Sequence, residues 1–479
     1  MTGDPPPPGP ARRVHDARRI AHSALARHGS HTTLTQFHHW FRAHHRHRHA
    51  RVRPIPLTAL QGWRVDPDTG DIHHHTGRFF SLHGLEVRLP GRPVAHWSQP
   101  IINQPEVGIL GILAREFDGV LHFLMQAKVE PGNCNGLQLS PTVQATRSNY
   151  TRVHGGAQVP YLDHFRDPAA HHRIADVRQS EQGAWFYQKR NRNMVVEATG
   201  DVEVRDGFQW LTLGQIHQLL AEDDLVNMDV RTVLSCLPLA APSEVPATDD
   251  FHAALLRSAD PAAPSRHDLD DLLHWITEAR SATELQLTRV PLNRLADWRH
   301  HDGRIIHHSG HFFEVTAVAV RAGGREVAQW TQPMIRPTGL GVIGLLVARI
   351  HGVLHALLHA HTEPGYADVV ELAPTVQCTP ANYQYLPAAA RPAYLDQFLR
   401  PDPQRIRFDT TLSEEGGRFY HARNRYLIVE TDPAHAPETP EHRWLTLHQL
   451  GELLRHSYYL NVQARSLVSC LHSLFGATT

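Results

Sequence analysis

The sequence contains an internal duplication, and this repeat limits the fold more than any other feature of the chain. Residues of the same type recur at a spacing of 233 positions, without a gap, from Trp97 and Trp330 to Asp163 and Asp396. The pairs between them are Gly119 and Gly352, Glu130 and Glu363, Thr142 and Thr375, and Asn149 and Asn382. A chain that repeats itself in this way is expected to build two similar domains, one from each copy.

The length of the chain agrees with this division. A chain of 479 residues is too long for one ordinary core and suits two domains of roughly 200 residues each. We place the first repeat at residues 13–237 and the second at residues 251–479, joined by a linker rich in proline and alanine over residues 238–250. Residues 1–12 are proline-rich and are predicted to form a disordered tail.

Two neighbouring strands with one polar face are predicted in the first copy. From Val120 to Glu130, apolar and polar residues alternate, which places Lys128 and Glu130 on the same face of a strand. The run LQLSPTVQ at residues 137–144 alternates again and predicts a second strand. Its polar face carries Gln138, Ser140, Thr142 and Gln144.

This polar face has two interpretations. The first is the solvated side of an antiparallel sheet, which is the ordinary pattern. The second is a binding groove, because uncharged hydrogen-bonding side chains suit a ligand rich in hydroxyl and carbonyl groups. We favour a groove in each half, since the second copy keeps polar residues on both strands. These residues are His355, His359, His361, Glu363, Glu371, Thr375 and Gln377.

Charge and hydropathy disfavour several classes of protein. The formal net charge is -1, so no global field attracts nucleic acid or an anionic membrane. No apolar run reaches about 18 residues, and the N-terminal sequence lacks the apolar segment of a signal peptide. We therefore expect a soluble, cytoplasmic protein that binds neither nucleic acid nor a membrane.

Lysine is rare in this chain. Of the 47 basic residues, Lys128 and Lys189 are the two lysines. Lysine, unlike arginine, can lose its proton when it is desolvated and can then act as a base. The alternative is that both lysines are retained by chance. The four cysteines show no CxxC spacing, so reduced thiols are expected rather than disulfides or a zinc site.

Several common catalytic motifs are missing. No GxGxxG opens a helix, and the chain has no GxxxxGK[ST], GxSxG or HExxH. Hydride transfer, P-loop chemistry, serine hydrolysis and zincin chemistry therefore lose their usual sequence support. His359 and His361 alternate along a strand and could bind zinc, but the equivalent Gln126 and Lys128 could not. We predict no metal and no cofactor.

Longer stretches of both copies resemble a known family. The first copy contains WSQPIINQPEVGILGILAREFDGVLHFLMQAKVEPGN, LQLSPTVQATRSNYTRVHGG and YLDHF, and the second contains WTQPMIRPTGLGVIGLL, GVLHALLHAHTEPGY and ELAPTVQCTPANY. These stretches resemble the NDP-hexose 2,3-dehydratases of deoxysugar pathways. The resemblance implies a homodimer of two-domain subunits, each half with a Nudix-like α+β fold. It implies no divalent metal, because neither copy contains the glutamate-rich Nudix box.

The resemblance also implies a reaction. Water would leave from carbons 2 and 3 of a dTDP-4-keto-6-deoxyhexose to give a 3,4-diketo-2,6-dideoxy sugar. The ketone at carbon 4 acidifies the hydrogen on carbon 3, so the enzyme needs a base, an acid and an oxyanion donor. Either Lys128 or Glu130 is a candidate base, and His122 or Tyr150 could protonate the leaving hydroxyl. A downstream 3-ketoreductase is the expected partner, because the diketo product is labile.

Further side chains are candidates for binding the sugar nucleotide. Trp97 or Tyr150 could stack on thymine, and charged residues could bind the diphosphate. The charged candidates are Arg152, Lys189, Arg190 and Arg192. The candidates for the base and the sugar are Gln99, Gln126, Asn133, Gln138, Ser140, Thr142, Gln144 and Asn149. The second groove would use Trp330, Gln332, Glu363, Thr375, Gln377, Asn382, Tyr383, Arg423 and Arg425.

The residues also allow other roles and another function. Glu130 could serve only as an ion-pair partner, His122 could be a buried structural histidine, and Tyr150 could be a packed ring. The alternative function is a non-catalytic dTDP-sugar-binding protein, in which both grooves bind and neither eliminates water. Differences between the copies separate the two functions, because a catalyst needs only one fully equipped groove. Lys128 aligns with His361 and Asn133 aligns with Tyr366.

Overall fold

The computed structural model describes residues 10–47, 50–146, 159–167, 171–238, 240, 247–322 and 329–476. The helices in this part of the chain are α1 (Pro10–Leu25), α2 (Leu34–His47), α3 (Asp163–Arg166), α4 (Leu213–Leu219), α5 (Met228–Leu234), α6 (Asp250–Ser258), α7 (Leu269–Ala282), α8 (Leu395–Leu399), α9 (Leu447–Leu454) and α10 (Val462–Ser473). None of them is long and apolar enough to cross a membrane.

The strands divide between the two repeats. Those of the first repeat are β1 (Ala50–Ile55), β2 (Trp63–Val65), β3 (Ile72–His74), β4 (Ser81–Arg88), β5 (His96–Asn103), β6 (Gly108–Phe117), β7 (Val120–Val129), β8 (Leu137–Ser140), β9 (Val143–Ala145), β10 (His172–Ser180), β11 (Phe186–Tyr187), β12 (Arg190–Glu197) and β13 (Phe208–Thr212). Those of the second repeat are β14 (Gln286–Val290), β15 (Trp298–His301), β16 (Arg304–His307), β17 (Phe313–Ala322), β18 (Gln329–Pro337), β19 (Gly341–Ile350), β20 (Val353–Thr362), β21 (Val370–Ala373), β22 (Val376–Cys378), β23 (Ile406–Ser413), β24 (Arg423–Glu430) and β25 (His442–Thr446).

The ends of the repeats differ slightly from the sequence prediction. Helix α1 begins at Pro10, inside the predicted tail, and residues 1–9 lie outside the described residues. Helix α6 begins at Asp250, the last residue of the predicted linker, and its N-cap Asp249 accepts a hydrogen bond from the amide of His252. Residues 239 and 241–246 of the linker also lie outside the described residues. The four cysteines are free thiols, as predicted.

Each repeat builds one large mixed sheet of seven strands. The first has the order β10-β12-β6-β7-β13, with β8 paired to β7 and β9 paired to β6; the second has the order β23-β24-β19-β20-β25, with β21 and β22 in the matching places. The pairing of β6 with β12, and of β19 with β24, is parallel, and the other pairs are antiparallel. The matching topology confirms the tandem duplication and a mixed architecture of helices and strands.

The alternation predicted for β7 is present, but its polar face is largely covered. Leu121, Phe123 and Met125 join the core that packs beneath α1, α2, α4 and α5. On the opposite face, Leu124 joins a second apolar cluster with Phe165 of α3. The solvated face and the groove are therefore both wrong for this half of the strand, because His122 and Leu124 are fully buried.

The run at residues 137–144 forms two short strands rather than one. Strand β8 pairs with β7 and strand β9 pairs with β6, at the place where β6 and β7 separate. Thr142 lies at this fork, where its hydroxyl donates to the carbonyl of Leu124 and accepts from the amide of Leu113 at 2.8 Å. Thr375 joins Leu346 and Leu357 in the same way in the second repeat.

The two repeats exchange strands, which the sequence did not predict. Strand β1 of the first repeat pairs with β17 of the second, and strand β14 of the second repeat pairs with β4 of the first. Each small sheet, built on β2–β5 or on β15–β18, therefore contains one strand from the other copy. The division into two sequential domains describes the sequence repeat but not the boundaries of the folded units.

Candidate active site

A cavity of about 1170 Å³ lies between the large sheet of the first repeat and the small sheet of the second. Gly108, Lys128, Glu130 and Gln144 line it from the first repeat. The opposite wall comes from the pair β1 and β17 and from β18, with Arg53, Val320, Trp330 and Gln332 among its residues. The volume suits a ligand as large as a sugar nucleotide, since ordinary small-molecule pockets measure about 300 to 1,000 Å³.

Lys128 and Glu130 form a close pair on the wall of this cavity. The Lys128 ammonium nitrogen lies 3.6 Å from Oε1 of Glu130. It also donates to the backbone carbonyl of Gln144 at 3.3 Å, while the side-chain amide of Gln144 donates to Oε1 of Glu130 at 2.9 Å. The two side chains are 16% and 7% exposed, so their charges interact in a medium that contains little water. Their placement on one strand face agrees with the sequence prediction.

The orientation of Gln144 is fixed by the start of helix α5. Asn227 is the N-cap of this helix and accepts from the amide of Val230 at 2.9 Å. Its amide nitrogen donates to Ser140 at 2.8 Å and to Oε1 of Gln144 at 3.4 Å. Because the oxygen of Gln144 faces Asn227, its nitrogen faces Glu130. The second repeat keeps this arrangement in Asn461, Gln377 and Glu363.

Lys189 also lines the cavity, and its side chain is buried. Its side chain is 5% exposed and donates to the carbonyl of Glu106 at 2.5 Å. Desolvation lowers the pKa of Lys189 to about 8, although the carboxylate of Glu181 acts in the opposite direction. This lysine can therefore exchange a proton near neutral pH. Sequence reasoning placed Lys189 on the substrate but did not predict its burial.

Three carboxyl groups that sequence reasoning missed share the cavity with Glu130: Glu181, Asp229 and Glu415. Desolvation, followed by the charge of Glu130, raises the pKa of Glu415 to about 7. Burial raises the pKa of Glu181, and burial together with the neighbouring carboxylates raises the pKa of Asp229 well above its usual value. Carboxyl groups crowded in this way disfavour one another's ionisation, so the cavity keeps its protons to a higher pH than isolated carboxyl groups would.

Arginines from both repeats line the outer part of the cavity. Arg51 and Arg53 lie on β1, and Arg321 is the cross-strand partner of Arg51 on β17. All three are exposed, and none forms an ion pair with any carboxylate in the described part of the chain. Three such guanidinium groups in one place are suited to a diphosphate. No local sequence signal points to them, because the exchange of β1 between the repeats brings them together.

Aromatic rings form another part of the cavity wall. Trp63 packs against Phe80 with ring centres 4.7 Å apart, and its indole nitrogen donates to the carbonyl of Thr331 at 2.8 Å. Trp330 donates to Gln332 at 2.8 Å, and Gln332 donates to the carbonyl of Gly417 at 2.6 Å. These indoles offer stacking surface to a nucleobase.

The strand exchange reverses two assignments made from the sequence. Trp330 and Gln332, predicted for the second groove, line the cavity that contains Lys128. Gln99, predicted for the first groove with its partner Trp97, instead donates to the carbonyl of Ala184 at 2.7 Å. The amide of Ala184 in turn donates to Glu363 at 2.9 Å, so Trp97 and Gln99 belong to the surroundings of Glu363.

Several other predicted binding residues do not line the cavity. Gln138 is fully buried and accepts from Ser413 at 2.9 Å, and Asn133 donates to the carbonyl of Gly136 at 3.2 Å. Ser140 and Thr142 are each 1% exposed. Ser140 accepts a hydrogen bond from Asn227, and Thr142 bonds to the backbone where β6 and β7 separate. These polar residues stabilise the sheet, and Gln126 also lies outside the cavity lining.

His122 is not positioned to act as the acid. Its ring is fully buried, its Nδ1 lies 2.9 Å from the carbonyl of Val120, and it packs against Phe117. Burial lowers the pKa of His122, and the ring does not line the cavity. His355 makes the same backbone contact in the second repeat, which indicates a structural role. The remaining candidates Asn149, Tyr150 and Arg152 lie outside the described residues.

The other predicted basic residues hold the edges of the large sheets. Arg192 forms a two-pronged ion pair with Asp176 at 2.6 Å, and Arg425 pairs with Asp409 in the same way. Arg423 lies 3.1 Å from Asp224. Arg190 is half-buried and also lies outside the cavity lining.

The groove of the second repeat is built differently around Glu363. Gln377 donates to this carboxyl at 2.8 Å, and burial raises the pKa of Glu363 to about 7. His361 replaces Lys128, and burial lowers the pKa of this imidazole to about 4. Asn382 accepts from the amide of Phe312 at 3.1 Å. Tyr383 is half-buried, and Thr375 bridges two strands as Thr142 does.

Among the described residues, one group of histidine and carboxylate side chains has the spacing of metal ligands. It comprises Asp297, His307 and His308, whose ligand atoms lie within 4.8 Å of one another. The group does not contain His359 and His361 of β20, the two histidines that the sequence suggested as possible zinc ligands. It also does not line the cavity.

The chain is similar to a family of known proteins along most of its length. The model of a family described as NDP-hexose 2,3-dehydratase matches residues 34–237 and 269–471. A dTDP-4-dehydro-6-deoxy-alpha-D-glucopyranose 2,3-dehydratase from Saccharopolyspora spinosa is 50% identical over 466 residues, covering 96% of each chain. Proteins of the same name from Amycolatopsis orientalis and Streptomyces violaceoruber are 45% and 47% identical, over 96% and 92% of this chain and 95% and 98% of their own lengths.

Proposed function

The chain belongs to the NDP-hexose 2,3-dehydratase family, and we propose that it removes water across carbons 2 and 3 of dTDP-4-keto-6-deoxy-D-glucose. The observation that carries this proposal is 45–50% identity over almost the whole chain to three dehydratases named for this substrate. The cavity with Lys128 and Glu130 supports it, because it supplies acid, base and cationic groups in one place. The enzyme is thus a carbon-oxygen lyase, and its product is the 3,4-diketo-2,6-dideoxy sugar nucleotide.

In this mechanism Glu130 removes the proton from carbon 3. The electron pair of the broken C3–H bond moves toward the carbon 4 oxygen, where the ammonium of Lys128 stabilises the enolate. The pair then forms the C2–C3 double bond as the C2–O bond breaks, and the hydroxyl leaves as water after taking a proton. The 3-enol gains a proton at carbon 2, loses the proton of its hydroxyl group and becomes the 3-ketone, so no external oxidant or reductant is needed.

The roles of base and oxyanion donor follow from the charges of the pair. An ammonium group 3.6 Å from a carboxylate is favoured in its charged form, which makes Lys128 a poor base and a good donor. Gln144 donates to the same oxygen of Glu130 and holds the carboxylate against the cavity wall. Gln144 is a positioning residue in this scheme.

The nucleotide is assigned to the outer cavity. Arg51, Arg53 and Arg321 would bind the diphosphate by charge-assisted hydrogen bonds, and Trp63 or Trp330 would stack on thymine. This assignment places residues of both repeats on one substrate. Lys189 is assigned to the sugar end, because it lies in the buried part of the cavity with Glu181.

The same proposal includes four features that the resemblance implies. These are a Nudix-like fold in each half, a homodimer, a cytoplasmic location and transfer of the product to a 3-ketoreductase in deoxysugar or antibiotic biosynthesis. The mixed seven-stranded sheets with packed helices support the first. A second dTDP-sugar site beside Glu363 is also proposed, since the second repeat keeps the chain of contacts through Gln377 and Asn461.

One experiment distinguishes the proposed dehydratase from the alternative, a sugar-nucleotide-binding protein without activity. The protein is incubated with dTDP-4-keto-6-deoxy-D-glucose, a 3-ketoreductase and its nicotinamide cofactor, which trap the labile diketo product. We expect a dTDP-2,6-dideoxy sugar with oxidation of the cofactor. Tight binding of the substrate without this product would favour the alternative.

A further inference from the structure

One carboxyl group of the cavity lies on helix α5. Asp229 lies two residues after the N-cap Asn227, at the start of helix α5. It is 3% exposed and lines the cavity together with Lys128 and Glu130. Within the described part of the chain its carboxyl has no hydrogen-bond partner. A buried carboxyl is ordinarily satisfied, so one that faces a cavity without a partner points to a ligand.

The surroundings of Asp229 favour its protonated form. The carboxylates of Glu181, Glu130 and Glu415 face it, and the ammonium of Lys128 is the opposing charge. Desolvation and these three carboxylates raise the pKa of Asp229 well above its usual value. Arg231 on the same helix points away and donates to the carbonyls of Val226 and Ser413. A carboxyl whose pKa is raised keeps its proton to a higher pH than an ordinary aspartic acid and can donate it during a reaction.

The second repeat has no acid at the equivalent position. Asn227 and Asn461 are equivalent N-caps, so Asp229 corresponds to Gln463 on α10. The base position is kept in both copies, as Glu130 and Glu363, whereas the acid is present only beside Lys128. A carboxyl that served only to stabilise the helix start would be equally useful in both copies.

We propose that Asp229 is the general acid that protonates the carbon 2 hydroxyl as it leaves. This inference rests on the dehydratase function proposed above. In the step, the O–H bond of the Asp229 carboxyl breaks, its proton joins the departing oxygen, and the electrons of the C2–O bond leave with water. The proton that Glu130 takes from carbon 3 is separate, and solvent restores the proton of Asp229 after the product has left.

The other carboxyl groups of the cavity are less suited to this role. Both oxygens of Glu415 accept backbone hydrogen bonds, from Gly417 at 2.9 Å and Arg418 at 2.7 Å. Glu181 accepts from Asn191 at 2.6 Å. These bonds hold the two carboxyls against the protein, whereas Asp229 is free of such bonds in the described residues and can contact a substrate hydroxyl.

The test compares two leaving groups. With the natural substrate, Asp229→Asn is expected to lower turnover by about 10² to 10⁴, the usual range for a lost acid. With the analogue that carries fluorine in place of the carbon 2 hydroxyl, the variant is expected to lie within about tenfold of the parent protein, because fluoride leaves without a proton. Loss of hydrogen fluoride gives the same enol, so the same reductase assay reports both reactions.

Deuterium exchange at carbon 3 supplies an independent readout. In heavy water, Asp229→Asn is expected to incorporate deuterium into recovered substrate, because Glu130 still removes the proton. Glu130→Gln is expected to lose both exchange and fluoride release. Gln463→Asn is the matched control in the second repeat and is expected to keep full turnover. If Asp229→Asn does not fold, Asp229→Glu keeps the acid and is expected to retain more than a tenth of the turnover.

The outcomes distinguish a failure of this inference from a failure of the proposed dehydratase function. If the parent protein forms no diketo product, the proposed function fails. If the parent protein is active and Asp229→Asn eliminates water within threefold of it, Asp229 is not the acid. Equal losses with both leaving groups would also overturn the inference and direct attention to residues outside the described part of the chain.

Discussion

The backbone amide of Gly132 donates to the carbonyl of Gly416 at 2.7 Å, and the amide of Gly365 donates to the carbonyl of Gly183 at the same distance. The two bonds are equivalent under the internal repeat and join the copies across a pseudo-twofold axis. Together with the exchanged strands they bring the small sheet of one repeat over the large sheet of the other. The cavity is therefore a product of the duplication and could not form in one isolated copy.

The close approach at Gly132 gives a prediction about stability. A Cβ atom at this position would lie 1.7 Å from the carbonyl oxygen of Phe419 and 2.7 Å from that of Gly416. Both obstacles are backbone atoms and cannot rotate away, so Gly132→Ala is expected to lower the free energy of unfolding by about 1 to 3 kcal/mol. Gly200→Ala, where no atom lies within 4 Å, is the control and is expected to change it by less than about 0.5 kcal/mol. Denaturant unfolding of both variants measures the difference.

The pair of Lys128 and Glu130 gives a prediction about turnover. Lys128→Met and Glu130→Gln should each lower kcat by about 10² or more, the usual scale for a lost acid, base or oxyanion group, with KM changed much less. His361→Met and Glu363→Gln are the matched changes in the second repeat and should leave kcat within a few fold. Equal damage from both pairs would mean that the reaction does not belong to the first copy alone.

Local patterns in the sequence predicted the strand β7 and the shared face of Lys128 and Glu130. This was possible because a strand repeats every two residues, whatever lies around it. The exchange of β1 and β14 was not predictable, since it depends on pairing between residues such as Arg51 and Arg321 that are far apart in the chain. For this reason Trp97 and Trp330 were assigned to the wrong grooves.

Burial explains the remaining differences between prediction and structure. Polar residues such as Gln138 and Thr142 can form hydrogen bonds either with a ligand or within the sheet. The sequence carries no signal that separates these two roles. Asp229 was missed for the opposite reason: it follows an N-cap on a helix, where an acidic residue is ordinary. Only the packing of that helix against the cavity shows that its carboxyl faces Lys128 and Glu130.

Glu371 gives a prediction about the effect of pH on stability. Its carboxyl is fully buried, one oxygen accepts from Ser180 at 2.5 Å, and desolvation raises its pKa to about 7. A carboxyl whose pKa is raised by folding binds more protons in the folded state, so its contribution to stability falls as pH rises from about 4.5 to 7. Glu371→Gln removes this titration. The free energy of unfolding of the variant, relative to that of the parent protein, should therefore be higher at pH 8 than at pH 5. Unfolding free energies at both pH values test this, with Glu278→Gln, a substitution of an exposed glutamate, as the control.

Metal removal gives a prediction about the chemistry. The proposed steps use a carboxylate, a carboxyl and an ammonium group, and none of them requires a Lewis acid. Activity is therefore expected to be unchanged after exhaustive chelation and dialysis, measured with the coupled 3-ketoreductase assay. Loss of activity that zinc restores would contradict the proposal and would direct attention to the histidines of β20.

The arginines of the exchanged strands give the last prediction, and it tests whether both repeats serve one substrate. Arg51 and Arg321 are cross-strand partners that come from different repeats, and neither forms an ion pair within the described residues. If they bind the diphosphate, Arg51→Met and Arg321→Met should each weaken the binding of dTDP by about 10- to 150-fold, since one charge-assisted bond contributes about 1.5 to 3 kcal/mol. The effect should appear mainly in KM, because these residues contact the substrate away from the reacting carbons. Arg192→Met is the matched control, since its guanidinium is held by Asp176 on the edge of the sheet. Titration calorimetry with dTDP measures the affinities, and an unchanged affinity in Arg321→Met would show that the second repeat does not contribute to the diphosphate site.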